Sequence, residues 1–200
     1  MKKNNKIIII SSPSGAGKTT ICKRLLKKIK NIEISISYTT RPKRKNEKNG
    51  KDYFFINKKD FLKFKRKRFF IETSRYIDFY YGSPYENIEK AFNNNNHILF
   101  DVDWKGAETL RKKFPKSRII DIFILPPNIK ELRSRLIKRG RDNKKQISKR
   151  LALAESEIKH FRDYKFVLVN DDLTKTVNIL VKVINNKMLL KKINYKNFDI

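Results

Sequence analysis

The residues Ser12-Pro13-Ser14-Gly15-Ala16-Gly17-Lys18-Thr19 join a small, glycine-rich backbone to a lysine and a hydroxyl, the set of groups needed to hold a polyphosphate. Glycines let backbone N–H groups turn inward onto phosphate oxygens, and a helix that starts where the loop ends adds the positive end of its dipole. In a loop of this type Lys18 reaches the β- and γ-phosphates of ATP, and the Thr19 hydroxyl ligates Mg²⁺. The flanking sequence agrees. Ile7 to Ile10 has the length and β-branched composition of a strand, whereas Ile21, Cys22, Leu25, Leu26 and Ile29 recur at helical spacing. Ser12 stands where this motif opens with glycine, a departure that a small side chain can fit.

The elements that must position this loop can be read from the apolar pattern. Short apolar runs lie at Ile7 to Ile10, Ile34 to Ile36, Ile98 to Val102, Ile119 to Leu125 and Phe166 to Val169, with amphipathic helical patterns between most of them. That alternation predicts an α/β architecture with a parallel sheet covered by helices. After Pro126-Pro127, Asn128 can cap a helix with Glu131 three residues on, and Ile129, Leu132 and Leu136 line one face. A further helix can begin at Asn143, with Ile147, Leu151 and Ile158 buried, and the basic turn from Lys138 to Asn143 makes the pair a candidate lid. The stretch from Ser37 to Tyr85 breaks the alternation. Its aromatic strand-like segments, around Tyr53, Phe69 and Phe79, predict a small, partly antiparallel insertion suited to a second substrate.

Composition bounds the reading further. The chain has 200 residues, 39% of them hydrophobic, with 14 Phe and 8 Tyr, which fits one domain with a substantial core and excludes a disordered chain. No apolar run approaches the roughly 18 to 20 residues of a membrane span, and the basic N-terminus lacks the apolar stretch of a signal peptide, so a cytoplasmic protein is expected. The single cysteine, Cys22, excludes an internal disulfide and reads as core filling. Net charge is +29, but the lysines and arginines are spread over almost every helix and accompany runs such as Asn93 to Asn96, the signature of compositional drift. No specific nucleic-acid partner is expected, only weak, salt-sensitive adhesion. On the same grounds Lys65-Arg66-Lys67-Arg68 reads as a solvated helix end.

With the loop placed, blocks downstream fall into an order. Ser37 to Arg44, Gly50 to Phe55, Glu72, Tyr80-Tyr81-Gly82-Ser83, Asp101-Val102-Asp103-Trp104-Lys105-Gly106, Ile122 to Pro127 and Val169-Asn170-Asp171-Asp172 together resemble the guanylate kinases, nucleoside monophosphate kinases that phosphorylate GMP. The resemblance runs from about Ile7 to Leu173. It implies a P-loop NTPase fold with a five-stranded parallel sheet flanked by helices, a small mixed GMP-binding insertion and a helical lid. Mapped onto this chain, it implies a core of residues 1–36, 86–128 and 152–200, a GMP-binding segment at 37–85 and a lid at 129–151.

The same resemblance implies site roles. Ser12 to Thr19 hold ATP; Ser37, Arg41, Arg44, Tyr53 and Tyr81 match residues that hold the GMP phosphate; Glu72, Ser83 and Asp103 match the guanine readers. Two guanidinium forks suit a phosphate dianion, and carboxylates suit the N1–H and N2–H₂ donors of guanine. Asp101 matches the acid that organises Mg²⁺ and its waters with Thr19, while Arg139 and Arg150, with Arg135 as a third candidate, match lid arginines. The implied reaction is transfer of the γ-phosphoryl of ATP to GMP or dGMP, with Mg²⁺ as cofactor, in nucleotide recycling by a monomer or homodimer. The rival of another class is a non-catalytic module that binds phosphorylated peptides; it needs neither Lys18 nor the lid arginines. Two departures from the family pattern fall near these positions: Asn46 where glycine is usual, and Asp78-Phe79 where Gly-Asn is usual.

Overall fold

The computed structural model describes residues 5–138, 140 and 144–185. Its strands are β1 (Ile7–Ser11), β2 (Ile32–Ile34), β3 (Tyr38–Thr39), β4 (Phe54–Phe55), β5 (Phe70–Tyr76), β6 (Phe79–Pro84), β7 (His97–Asp101), β8 (Ile119–Leu125) and β9 (Phe166–Val169). The helices are α1 (Lys18–Lys28), α2 (Lys58–Arg66), α3 (Glu86–Asn93), α4 (Trp104–Lys113), α5 (Ile129–Lys138), α6 (Lys144–Ile158) and α7 (Leu173–Ile184). Five strands share a sheet in the order β2-β7-β1-β8-β9, and four share a second in the order β4-β3-β6-β5. The described chain divides into two compact units, the first holding 5–7 and 31–119, the second holding 8–30, 120–138, 140 and 144–185.

In the second unit, β8 and β9 run parallel in the register Ile122 with Phe166 to Leu125 with Val169. β9 reads as an unbroken apolar run and β8 as one interrupted only by the buried Asp121, because both strands are covered on both faces. Helix α1 packs on α7, and Arg24 and Lys28 on its outer side donate to Thr174 and Asn178. Asn128 caps α5 as expected, its Oδ1 accepting from the Glu131 N–H at 2.8 Å. Leu132 and Leu136 are fully buried on the inner face, each contributing about 1.5 to 3 kcal/mol of apolar burial. In α6, Ile158 is buried, whereas Ile147 and Leu151 are only half-buried. The expected cap at Asn143 lies outside the described residues, as does most of the basic turn before it.

The first unit departs from expectation at its edge strand. The run Ile34 to Ile36 predicts a strand there, but the ladder with β7 covers Ile32 to Ile34. The Ser35 N–H still donates to the Leu99 carbonyl at 2.8 Å, and just beyond the ladder the Asn87 amide donates to Ser35 Oγ and takes up the Ile36 carbonyl. Glu33 stays in the strand because Asn94 and Asn96 both donate to its carboxylate, which lowers its pKa.

The aromatic segments from Ser37 to Tyr85 form the four-stranded mixed sheet, with α2 laid against it. Its core is a cluster of rings: Tyr38 stacks on Phe54 at 4.6 Å, and Phe61 stacks on both Phe70 and Tyr80. Gly82 is required by this packing, since a Cβ there would meet the Phe70 ring at 2.9 Å. Arg66, Lys67 and Arg68 end α2 in solvent, as the charge run suggested.

Strands β5 and β6 close as a hairpin on Ile77-Asp78, with Tyr76 paired to Phe79. Of the two turn residues only Ile77 has positive φ, at 56°. A two-residue hairpin with positive φ at its first central position calls for glycine, and a β-branched side chain is strained there. Replacing Ile77 with glycine should therefore stabilise the protein by about 1 kcal/mol. A higher denaturant midpoint with an unchanged slope would show it, and a lower midpoint would show that the turn carries no such strain.

Candidate functional site

The glycine-rich loop occupies the turn from β1 to α1 in the second unit. Gly15 and Gly17 take φ of 106° and 100°, values that side chains rarely adopt. Gly17 sits at the N-cap of α1, no side chain caps that helix and no acid lies in its first turn. Lys18 and Thr19 begin the helix, Lys18 half-buried and Thr19 exposed. Ser12, the departure from glycine, is accommodated because its hydroxyl donates to the Pro13 carbonyl at 3.0 Å.

Three elements of the same unit grip this loop. From α6, the buried Glu157 accepts from the Ser14 N–H at 3.3 Å, and Arg150 donates to Ser14 Oγ at 3.4 Å. These residues are seven apart, two turns on one helix face. From the end of β9, Asn170 donates to the Ala16 carbonyl at 2.8 Å. From α5, Arg135 donates to Glu131 and to the Asn170 carbonyl. A cavity of about 350 Å³ lies among Gly15, Gly17, Thr20, Arg135, Lys138 and Asp171, within the range of small-ligand sites. Arg139 lies outside the described residues.

The first unit carries a buried polar chain. Ser83 Oγ donates to Glu72 Oε1 at 2.6 Å, and Ser37 and Ser83 hydroxyls are 2.9 Å apart. Since the single Ser83 proton goes to the carboxylate, Ser37 is the donor to Ser83. The register shift between Phe70 and Glu72 puts Glu72 directly across from Ser83, the re-aiming of a side chain that a bulge provides. Gly106 in the first turn of α4 leaves room for the acid: a Cβ there would lie 2.8 Å from Glu72 Oε2. The positive end of α4 therefore faces the carboxylate. Asp103 caps the same helix through Oδ1, which accepts from the Gly106 N–H at 2.8 Å.

Arg41 and Arg44 are gathered by Glu47, whose role the sequence reading missed. Arg41 donates to Glu47 Oε1 at 2.8 Å, the Arg44 N–H donates to Oε2 at 2.9 Å, and the Arg44 guanidinium lies 3.6 Å from Oε1. Partial burial works against the Arg41 charge, but the hydrogen bonds to Glu47 and Tyr81 and the Glu47 carboxylate outweigh it, so its pKa is raised above the ordinary arginine value. For Glu47 burial likewise opposes ionisation, and the contacts with Arg41 and Arg44 overcome it, lowering its pKa. The Arg41 guanidinium also lies over the Tyr53 ring at 5.5 Å, and Tyr53 meets Tyr81 edge to face. One signal for Glu47 was available: it is the only acid among residues 41–51, a stretch otherwise rich in lysine and arginine.

The structure thus brings Ser37, Glu72 and Ser83 into one cluster and Arg41, Arg44, Tyr53 and Tyr81 into another, both within the first unit. Asp101, the last residue of β7, belongs to that unit, whereas Lys18, Thr19 and Arg150 belong to the second. Among the described residues no helix is long and apolar enough to cross a membrane.

The family model described as guanylate kinase matches residues 4–187. A guanylate kinase of Agrobacterium fabrum is 41% identical over 96% of this chain and 87% of its own length, and one of Coxiella burnetii is 39% identical over 100% and 95%. The crystal structure of guanylate kinase from Anaplasma phagocytophilum superposes with a TM-score of 0.76 at 31% identity, covering 94% of this chain and 88% of that one. Sequence likeness at this level over nearly the full length, on an α/β fold with a P-loop, places the protein: it belongs to the guanylate kinase family.

Proposed function

We propose that the chain is an ATP:GMP phosphotransferase, transferring the γ-phosphoryl of ATP to GMP or dGMP to give ADP and GDP. The observation that carries this reading is the buried Glu72–Ser83–Ser37 chain beside the paired arginines, because it combines an acceptor for guanine donors with cations for a phosphate. Guanine offers N1–H and N2–H₂ to Glu72 and Asp103, whereas adenine offers an acceptor at N1 and would face two carboxylates. Arg41, Arg44, Ser37, Tyr53 and Tyr81 take the acceptor phosphate, with Glu47 fixing both guanidinium groups in place.

On the donor side, Ser12 to Lys18 hold the ATP phosphates, and Lys18, Arg139 and Arg150 offset charge on the transferred group. Residues 37–85 act as the acceptor-binding segment and 129–151 as a lid that excludes water. The Thr19 hydroxyl and the Asp101 carboxylate are hard oxygen ligands of the kind Mg²⁺ takes alongside substrate phosphates, Asp101 through water. Mg²⁺ held by these residues would supply charge neutralisation on the donor phosphates. No general base is needed, since the attacking oxygen belongs to an already ionised phosphate. The phosphopeptide-binding alternative leaves the phosphate loop and its contacts from α6 without a purpose.

The direct test is ADP release from ATP with GMP, dGMP, AMP, UMP and CMP in turn, where GMP and dGMP should dominate and comparable turnover of AMP would overturn the reading. Lys18→Ala should lower kcat by several orders of magnitude in a folded protein. Glu72→Gln removes a charged acceptor, and the GMP over AMP preference should shrink by roughly 1 to 3 kcal/mol, about 5- to 150-fold. Glu47→Ala should raise KM for GMP about tenfold while leaving KM for ATP unchanged. A lowered KM for GMP would instead make Glu47 a competitor of the phosphate.

A further inference from the structure

Asn170, in the Val169-Asn170-Asp171-Asp172 block, has no part in the roles above, yet it is 4% exposed and meets the phosphate loop directly. Its backbone is fully used: the N–H donates to the Leu125 carbonyl at 2.8 Å, and the carbonyl accepts from Arg135 at 3.1 Å. Its side chain acts on the loop. Nδ2 donates to the Ala16 carbonyl at 2.8 Å, while Oδ1 has no hydrogen-bond partner among the described residues. A Cβ built on Gly17 would lie 2.6 Å from the same Nδ2, so the amide lies against both residues of the Ala16–Gly17 peptide.

A trans peptide is planar, and its C=O and N–H point in opposite directions. Holding the Ala16 carbonyl toward Asn170 therefore holds the Gly17 N–H away from it. The loop's own bonds hold the peptides on either side, the Ala16 N–H donating to the Pro13 carbonyl and the Gly17 carbonyl accepting from Thr20 and Ile21, but the Ala16–Gly17 peptide between them turns on Ala16 ψ and Gly17 φ, and glycine crosses between positive and negative φ at little cost. From this we infer that Asn170 is a positioning residue that presets the Ala16–Gly17 peptide, so that the Gly17 N–H is already turned to the donor phosphates before ATP arrives. The inference rests on the proposed role of the loop in holding ATP.

The donor end of the amide is what matters. A carboxylate in its place would set two acceptors against each other and drive the peptide to flip, and an alanine would leave the peptide unheld.

The test compares wild type, Asn170→Asp and Asn170→Ala by steady-state kinetics, by calorimetric titration with Mg·ATP alone, and by thermal melting. Both variants should raise KM for ATP and weaken Mg·ATP binding about tenfold or more, the aspartate more than the alanine, with KM for GMP within about twofold of wild type. Parallel rises in both KM values would mean general loosening and overturn the assignment, as would unchanged ATP binding. Failure of both variants to fold would overturn it too, because substitution leaves the backbone bonds of Asn170 in place. Wild type that binds Mg·ATP but does not phosphorylate GMP would instead defeat the proposed reaction, and the titrations would still report on Asn170.

Discussion

A carboxyl group 3% exposed must have its oxygens met by hydrogen bonds inside the protein, and Glu72 organises the first unit around that requirement. The bulge before it sets its register, Ser83 donates to it, Ser37 donates to Ser83, and α4 begins where its Oε2 lies, with a glycine at the point of closest approach. Four segments distant in sequence thus converge on two oxygen atoms. The ring cluster behind β5 and β6 supplies the apolar burial that holds those segments together. Aromatic side chains suit the task, since a short insertion must reach a packed core with few residues.

The scarcity of acids sharpens this picture. With 49 basic residues against 20 acidic ones, cations far outnumber the carboxylates available to them, and exposed ion pairs contribute little. Three of the buried or half-buried acids meet the candidate site instead: Glu47 between two arginines, Glu72 under α4, Glu157 on the Ser14 N–H. Each fixes the direction of a donor. A protein that handles two phosphorylated substrates needs many cations, and mutually repelling cations hold a useful arrangement only when anions anchor them.

Much of this architecture was legible because it rests on local rules. Strand β8 spans the residues its apolar run marked, β9 likewise, and the Asn128 cap forms as its spacing demands. The glycine loop was legible for the same reason: strand, loop and helix are contiguous. What escaped depends on long-range side-chain contacts. The Asn87 amide at the end of β2 acts from 52 residues away on Ser35, the Asn170 amide from 154 residues away on Ala16, and no periodicity reports either. The dual position of Asp103, a base reader by resemblance and a helix cap by geometry, became visible only once α4 was seen to start at Trp104.

Trp104 gives that last feature an optical dimension. It is the chain's only tryptophan, it is the first residue of α4, and it adjoins the capping Asp103, with the Lys105 ammonium 5.3 Å from its ring centroid. Indole emission shifts with nearby charge and hydration, so the tryptophan emission of the unlabelled protein comes from one known place, a single residue from the carboxylate proposed to read the guanine base. A base bound at that position should therefore shift the indole emission of the chain.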